Sequence, residues 1–126
     1  MPVTRGFFKE SRNTSIYYFN SSDQISLGNG SNATIIYEKK HDLTGINTLL
    51  YYCSADKGTD NSSDNTINLT VGGVVKAVTN LPDTTQVDDF EIIDVSGNTG
   101  MTTIKVHTGG GTDPLLLSLL HLQLVE

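Results

Sequence analysis

The segment Asp113-Pro-Leu-Leu-Leu-Ser-Leu-Leu-His-Leu-Gln-Leu-Val-Glu126 decides how the rest of the chain is read. Nowhere else is apolar surface so concentrated, and in water it must be covered. Two shapes compete for it. Asp113-Pro114 is the pattern of an N-cap followed by Pro at the first helical position, and Leu forms helices well. Against this, Leu120-His-Leu-Gln-Leu124 alternates strictly, which is the period of a strand. Leu115–Leu119 is apolar on both faces, as expected of a central strand covered on two sides. The alternation favours a terminal strand, with the helix as the alternative.

The segments before it repeat the pattern at short, even spacing. Strands are expected at Thr14–Phe19, Gln24–Leu27, Ala33–Lys40, Asn47–Ser54, Asn65–Val71, Val74–Val78, Val87–Val95 and Met101–Thr108, separated by turn chemistry. Gly72-Gly73 is a two-residue hairpin signal, Gly28-Asn-Gly-Ser-Asn32 is a strong turn, and Gly109–Gly111 reads as a flexible joint into the last strand. Only 17% of the 126 residues are charged, low for a helical protein, while Val, Ile, Thr and Tyr lie in short bounded runs. The expectation is an all-β, single-domain β-sandwich, a jelly roll of about eight strands at residues 14–126, preceded by an extended N-terminal arm at residues 1–13.

Charge separates the arm from the body. Formal net charge is −6, which repels phosphate backbones and argues against nucleic-acid binding. Yet within residues 1–22 Arg5, Lys9 and Arg12 face only Glu10, while thirteen acids and five lysines occupy the remainder. The single Cys53 cannot form an internal disulfide and fits synthesis in a reducing compartment. No stretch approaches a membrane span, and the first residues have no apolar leader, so a cytosolically made protein without membrane contact is expected.

Chemistry was sought in four places. His41, His107 and His121 have no local partner motif, Cys53 lies in an apolar strand, and no nucleophile elbow, P-loop, dinucleotide fingerprint or zinc-protease motif occurs, so no catalytic residues and no cofactor are assigned. Asp56, Asp60 and Asp64 recur every four residues in a loop whose oxygens would suit Ca²⁺; a solvated loop accounts for them as well, and no metal is assigned. Asp88-Asp89-Phe-Glu91 reads as an edge strand guarded by charge. Tyr17, Tyr18, Tyr37, Tyr51 and Tyr52 are available to bind sugar, but within strands their usual role is packing. Sequons occur at Asn13, Asn20, Asn29, Asn32, Asn61 and Asn68; several are expected by chance from the Asn-, Ser- and Thr-rich composition, with a secreted, surface-glycosylated sandwich as the alternative.

With its arm Met1–Arg12, its Gly-rich connections and its closing run Leu115–Val125, the chain resembles the jelly-roll decoration (cement) proteins of bacteriophage heads. The resemblance implies a virion protein that binds and stabilises an assembled shell. The major capsid protein would be its partner, with Val3, Arg5, Phe7, Phe8, Lys9 and Arg12 in contact with the capsid. Leu115, Leu117 and Leu119 would serve self-association, as a homo-oligomer with a trimer favoured. The alternative is a receptor- or carbohydrate-binding module such as a fibre tip.

Overall fold

The computed structural model describes residues 13–126. They form strands β1 (Asn13–Asn29), β2 (Ile35–Asp42), β3 (Thr48–Lys57), β4 (Asn65–Val71), β5 (Val74–Leu81), β6 (Val87–Asp94), β7 (Met101–Gly110) and β8 (Pro114–Val125), with one short 3₁₀ turn at Gly30–Asn32. Two antiparallel four-stranded sheets, ordered β1-β8-β3-β6 and β2-β7-β4-β5, face each other as a jelly-roll sandwich. The first is called the front sheet below and the second the back sheet.

The leucine-rich end is a strand, lying between β1 and β3. Its doubly apolar stretch has a specific cause. Alternation changes phase at a bulge beside Ser118, so Leu115 and Leu117 point inward before it and Leu120, Leu122 and Leu124 after it. Ser118 Oγ donates to the Ser54 carbonyl across the irregularity (3.1 Å), satisfying an acceptor where the ladder is locally disrupted. What reads as a two-sided apolar strand is one inward row shifted by a residue. Leu115 and Leu117 are therefore wholly buried in the chain's own core and offer no surface to another copy; Leu119, partly exposed, lies on the outer side. This corrects the assignment of Leu115 and Leu117 to self-association.

The same irregularity joins the first two expected strands into one. Asn20 pairs with Leu119 and Ile25 with Leu117, leaving residues 21–24 bulged, and the Ser21 hydroxyl holds the bulge against the backbone of Asp23. Asn13 already pairs with Val125, so the sandwich begins one residue inside the expected arm. Val3, Arg5, Phe7, Phe8, Lys9 and Arg12 lie outside the described residues.

The inward faces of Leu49, Tyr51, Cys53, Leu120 and Leu122 meet those of Ile67, Leu69, Leu81, Ile104 and Val106. Removing such side chains from water is the main driving term. One polar thread crosses this core. Tyr51 Oη donates to Thr79 Oγ1 (2.6 Å), whose own proton goes to Asp89 Oδ2 (2.7 Å), so every buried polar group in the chain of bonds has a partner. Burial, first among its causes, raises the Tyr51 phenol far above its ordinary value. Burial likewise pushes the Cys53 thiol up to about 12, leaving it protonated and inert.

At one end of the sandwich Gly109–Gly111 is a packed crossing. A Cβ on Gly110 would stand 2.3 Å from the Asp64 carbonyl, and one on Gly111 2.1 Å from that of Ser63. Glycine is required there by close backbone approach, which corrects the reading as a flexible joint.

Candidate functional site

The outer face of the front sheet carries the most unusual surface. Register places Tyr18 of β1 opposite His121 of β8, His121 opposite Tyr52 of β3, and Tyr52 opposite Phe90 of β6. One aromatic ring from each strand thus falls in a single row across the sheet, spanning three inter-strand steps of about 4.8 Å, or about 14 Å in all. The row is built by alternation: Tyr51, Cys53, Leu120 and Leu122 fill the core, so their neighbours Tyr52 and His121 must face solvent.

The rings touch in sequence. Tyr52 stacks on Phe90 with centroids 4.3 Å apart, His121 on Tyr52 at 5.9 Å, and Tyr18 meets His121 edge-on at 4.9 Å. Because the inner rings cover one another, the largest free surfaces lie at the two ends, where Tyr18 is 60% and Phe90 48% exposed. Ser15 Oγ is 3.1 Å from His121 Nε2, and Asn20 Nδ2 donates to Tyr18 Oη (3.1 Å), so the polar atoms at the β1 end are held in place. Alongside runs a second row of Ile92, Leu50 and Gln123, with Ile92 69% exposed.

Electrostatics sharpen the contrast between the two sheets. On the front sheet Asp56, Asp88 and Asp94 flank the apolar rows, and its lysine, Lys57, is 1% exposed. Hydrogen bonds from Ser96 hold the Asp94 carboxyl below its ordinary value, and bonds from Ser54 and Gln86 do the same for Asp88, so both stay charged at neutral pH. The other lysines of the described residues, Lys39, Lys40, Lys76 and Lys105, all belong to the back sheet.

The acids considered for Ca²⁺ are not gathered together. Asp56 Oδ2 accepts from Gln24 (2.7 Å), Asp64 Oδ2 accepts from Asn80 (2.7 Å), and Asp60 Oδ1 accepts from Lys57 Nζ (3.0 Å). Among the described residues no group of three or more metal-binding side chains converges. A lysine organises this corner. Lys57 Nζ sits among Asp113 Oδ2 (2.8 Å), Asp60 Oδ1 and the carbonyls of Ser62 and Ser63. Asp113 also accepts from Thr59 Oγ1, the backbone N–H groups of Asn61 and Ser62, and Ser62 Oγ. Burial alone would raise the Asp113 carboxyl, but these donors outweigh it and hold it far below the usual carboxylate range. Asp113 raises the Lys57 ammonium in turn, against desolvation. The sequence reading missed this pair, which joins the end of β3 to the connection before β8, far apart in the sequence; the only local hint was a Lys among aspartates.

The sequence reading placed the tyrosines in packing roles, and the structure divides them. Tyr51 is core, Tyr17 and Tyr37 meet at its rim with centroids 5.2 Å apart, and Tyr18 and Tyr52 stand in the exposed row. Phe90 and His121, the other members, were read only as a strand residue and a histidine without a local partner motif. The signal available in sequence was the pair of neighbouring tyrosines, Tyr51-Tyr52, which alternation must send to opposite faces.

No protein-family model and no curated protein matches this sequence. Solved structures do. The CBM36-1 domain of a multidomain xylanase from the hindgut metagenome of Trinervitermes trinervoides aligns with a TM-score of 0.54 at 12% identity, covering 90% of this chain and 96% of that one. EclA C-terminal domain, a sugar-binding protein, gives 0.54 at 12% identity over 85% and 83% of the two chains. Latent PorU from Porphyromonas gingivalis gives 0.60 at 10% identity, covering 94% of this chain but 13% of that much longer one. At such identities the likeness shows the fold: the chain is a jelly-roll sandwich of the kind seen in carbohydrate-binding modules. These neighbours are not capsid proteins, which overturns the expectation of a capsid decoration protein. The strand pattern that prompted it is common to sandwiches of quite different use.

Proposed function

We propose that this chain is a non-catalytic carbohydrate-binding module whose binding face is the aromatic row of the front sheet. The observation that carries the reading is the alignment of Tyr18, His121, Tyr52 and Phe90 across all four strands of one face. Aromatic rings offer apolar, polarisable surface to the C–H faces of sugar rings, and adjacent polar groups fix orientation. Here the terminal rings supply the apolar surface, while Ser15, Asn20 and Gln123 supply donors and acceptors. The carboxylates around the row select against anionic sugars, so the expected ligand is a neutral oligo- or polysaccharide laid across the strands. The fold neighbours support this reading, since two of them carry sugar-binding descriptions on the same architecture.

Affinity electrophoresis on gels cast with neutral polysaccharides (xylan, mixed-linkage glucan, galactan) tests it. At least one should retard the protein, and the double variant Tyr52→Ala/Phe90→Ala should migrate freely while melting at the same temperature within a few degrees. No retardation by any neutral polysaccharide, or full retardation of the double variant, would sink the assignment.

A further inference from the structure

The geometry points to a second and separate binding site, on the outer face of the back sheet, for an oligosaccharide that carries an anionic group such as a carboxylate or sulfate. A cleft of about 660 Å³ opens there, lined by Glu38, Thr70, Asn98, Thr103, Lys105 and His107, with the Gly72-Gly73 turn and Met101 at one end. Such a volume suits a ligand of a few sugar rings. Its walls are chemically unlike the front face: hydroxyl, amide, imidazole, ammonium and carboxylate groups, with Met101 the large apolar side chain.

The cleft's chemistry follows from register. Ile104, Val106 and Thr108 of β7 are fully buried, so Thr103, Lys105 and His107 alternate outward and form a stripe along the centre of the sheet. On β4, Thr70 lies opposite Lys105 and Asn68 opposite His107. On β2, Glu38 lies opposite Lys105, and Lys40 opposite Thr103. Lys105 makes no ion pair or side-chain hydrogen bond with any described residue, Glu38 across the ladder included, so its ammonium is free for a ligand. His107 Nδ1 donates to the Thr108 carbonyl (2.9 Å), leaving Nε2 uncommitted among the described residues. An oxyanion placed over β7 and β4 would gain a charge-assisted bond from Lys105 with Thr70 and Thr103 hydroxyls beside it, while the Glu38 carboxylate across the ladder opposes its charge. Lys40, opposite Thr103, and Lys105 both alternate to this outer face, so the local field draws anions to it.

Titration calorimetry on the intact chain decides the matter, with three probes: an oligogalacturonate, a sulfated oligosaccharide and a neutral oligosaccharide of matching length. At least one anionic probe should bind, more weakly as salt is raised, and Lys105→Gln should weaken it about tenfold or more. Glu38→Gln removes the opposing carboxylate and should strengthen it severalfold, a gain that no folding defect can mimic. The carboxylate and sulfate arms identify which anion is preferred. Tyr52→Ala should leave the anionic probe unaffected, so this site and the front-face reading stand or fall separately. If neither anionic probe binds, if the neutral probe competes equally at this site, or if Lys105→Gln and Glu38→Gln change nothing, the inference is wrong.

Discussion

The two outer faces of this sandwich are made by the same rule and end with opposite chemistry. On both, every second residue of a strand faces water because its neighbours fill the core. On the front, what faces water is Tyr18, His121, Tyr52 and Phe90, ringed by carboxylates. On the back it is Thr103, Lys105 and His107 over Thr70 and Asn68, with Lys40 beside Thr103. The core constrains one set of alternating positions and leaves the other free, so two binding chemistries fit on one scaffold without competing for residues. On the two proposed readings the difference lies in how affinity would be obtained: by apolar contact on the front, by charge and hydrogen bonding on the back.

The comparison fails most completely if the scaffold does, so the largest effect is expected at Asp113. Asp113→Asn leaves the Lys57 ammonium buried without its main counter-ion, and a charge stranded in that way is strongly destabilising. It should lower the melting temperature more than any other substitution named here and weaken binding at both faces together. The pH dependence has the same origin. A carboxyl held below its unfolded value contributes stability that is complete above about pH 4 and is lost as pH falls toward its lower folded value. The raised Lys57 contributes fully below about pH 10 and fades as pH rises past its unfolded value. Urea melts at acid, neutral and alkaline pH should show a plateau between those limits, and the acid fall should be blunted in Asp113→Asn.

Next in size is the front face itself. Tyr52→Ala with Phe90→Ala should cost neutral-polysaccharide binding tenfold or more, about 1.4 kcal/mol or above, read by gel retardation, with binding of anionic sugars untouched. A sharper version converts one face toward the other. Ile92→Lys places a cation beside Leu50 and Phe90, where the sheet has only carboxylates. It should let the front face retain an anionic polysaccharide, by a few-fold and only at low salt. Last, and read in stability rather than in binding, is the thread between the sheets. Tyr51→Phe removes the donor to Thr79 and should cost about 1–2 kcal/mol in urea unfolding, leaving binding at both faces unchanged. A change in either affinity would mean that the faces communicate through the core.

Much of the scaffold was legible because it depends on local rules. Alternation placed β4 at Asn65–Val71, and the Gly72-Gly73 turn, both of whose residues have positive φ, fixed the hairpin to β5. The acidic β6, expected as an edge strand guarded by charge, is a sheet edge. The sites were far less legible. A row that takes Tyr18, His121, Tyr52 and Phe90 from four strands exists only once β8, from the far end of the sequence, is inserted between β1 and β3. The pairing of Lys57 with Asp113 and the separation of Asp56, Asp60 and Asp64 are likewise products of loop packing.

The sequence by itself determined which residues are strands, which turns join them and which side chains must leave water, since these follow from period, turn chemistry and hydrophobicity acting over a few residues. Tertiary structure alone decided register, through the bulge at Ser118 and its counterpart at residues 21–24. Register is the longitudinal sliding of one strand against another. It is set by packing between distant segments, and a shift of one residue exchanges the buried face for the exposed one.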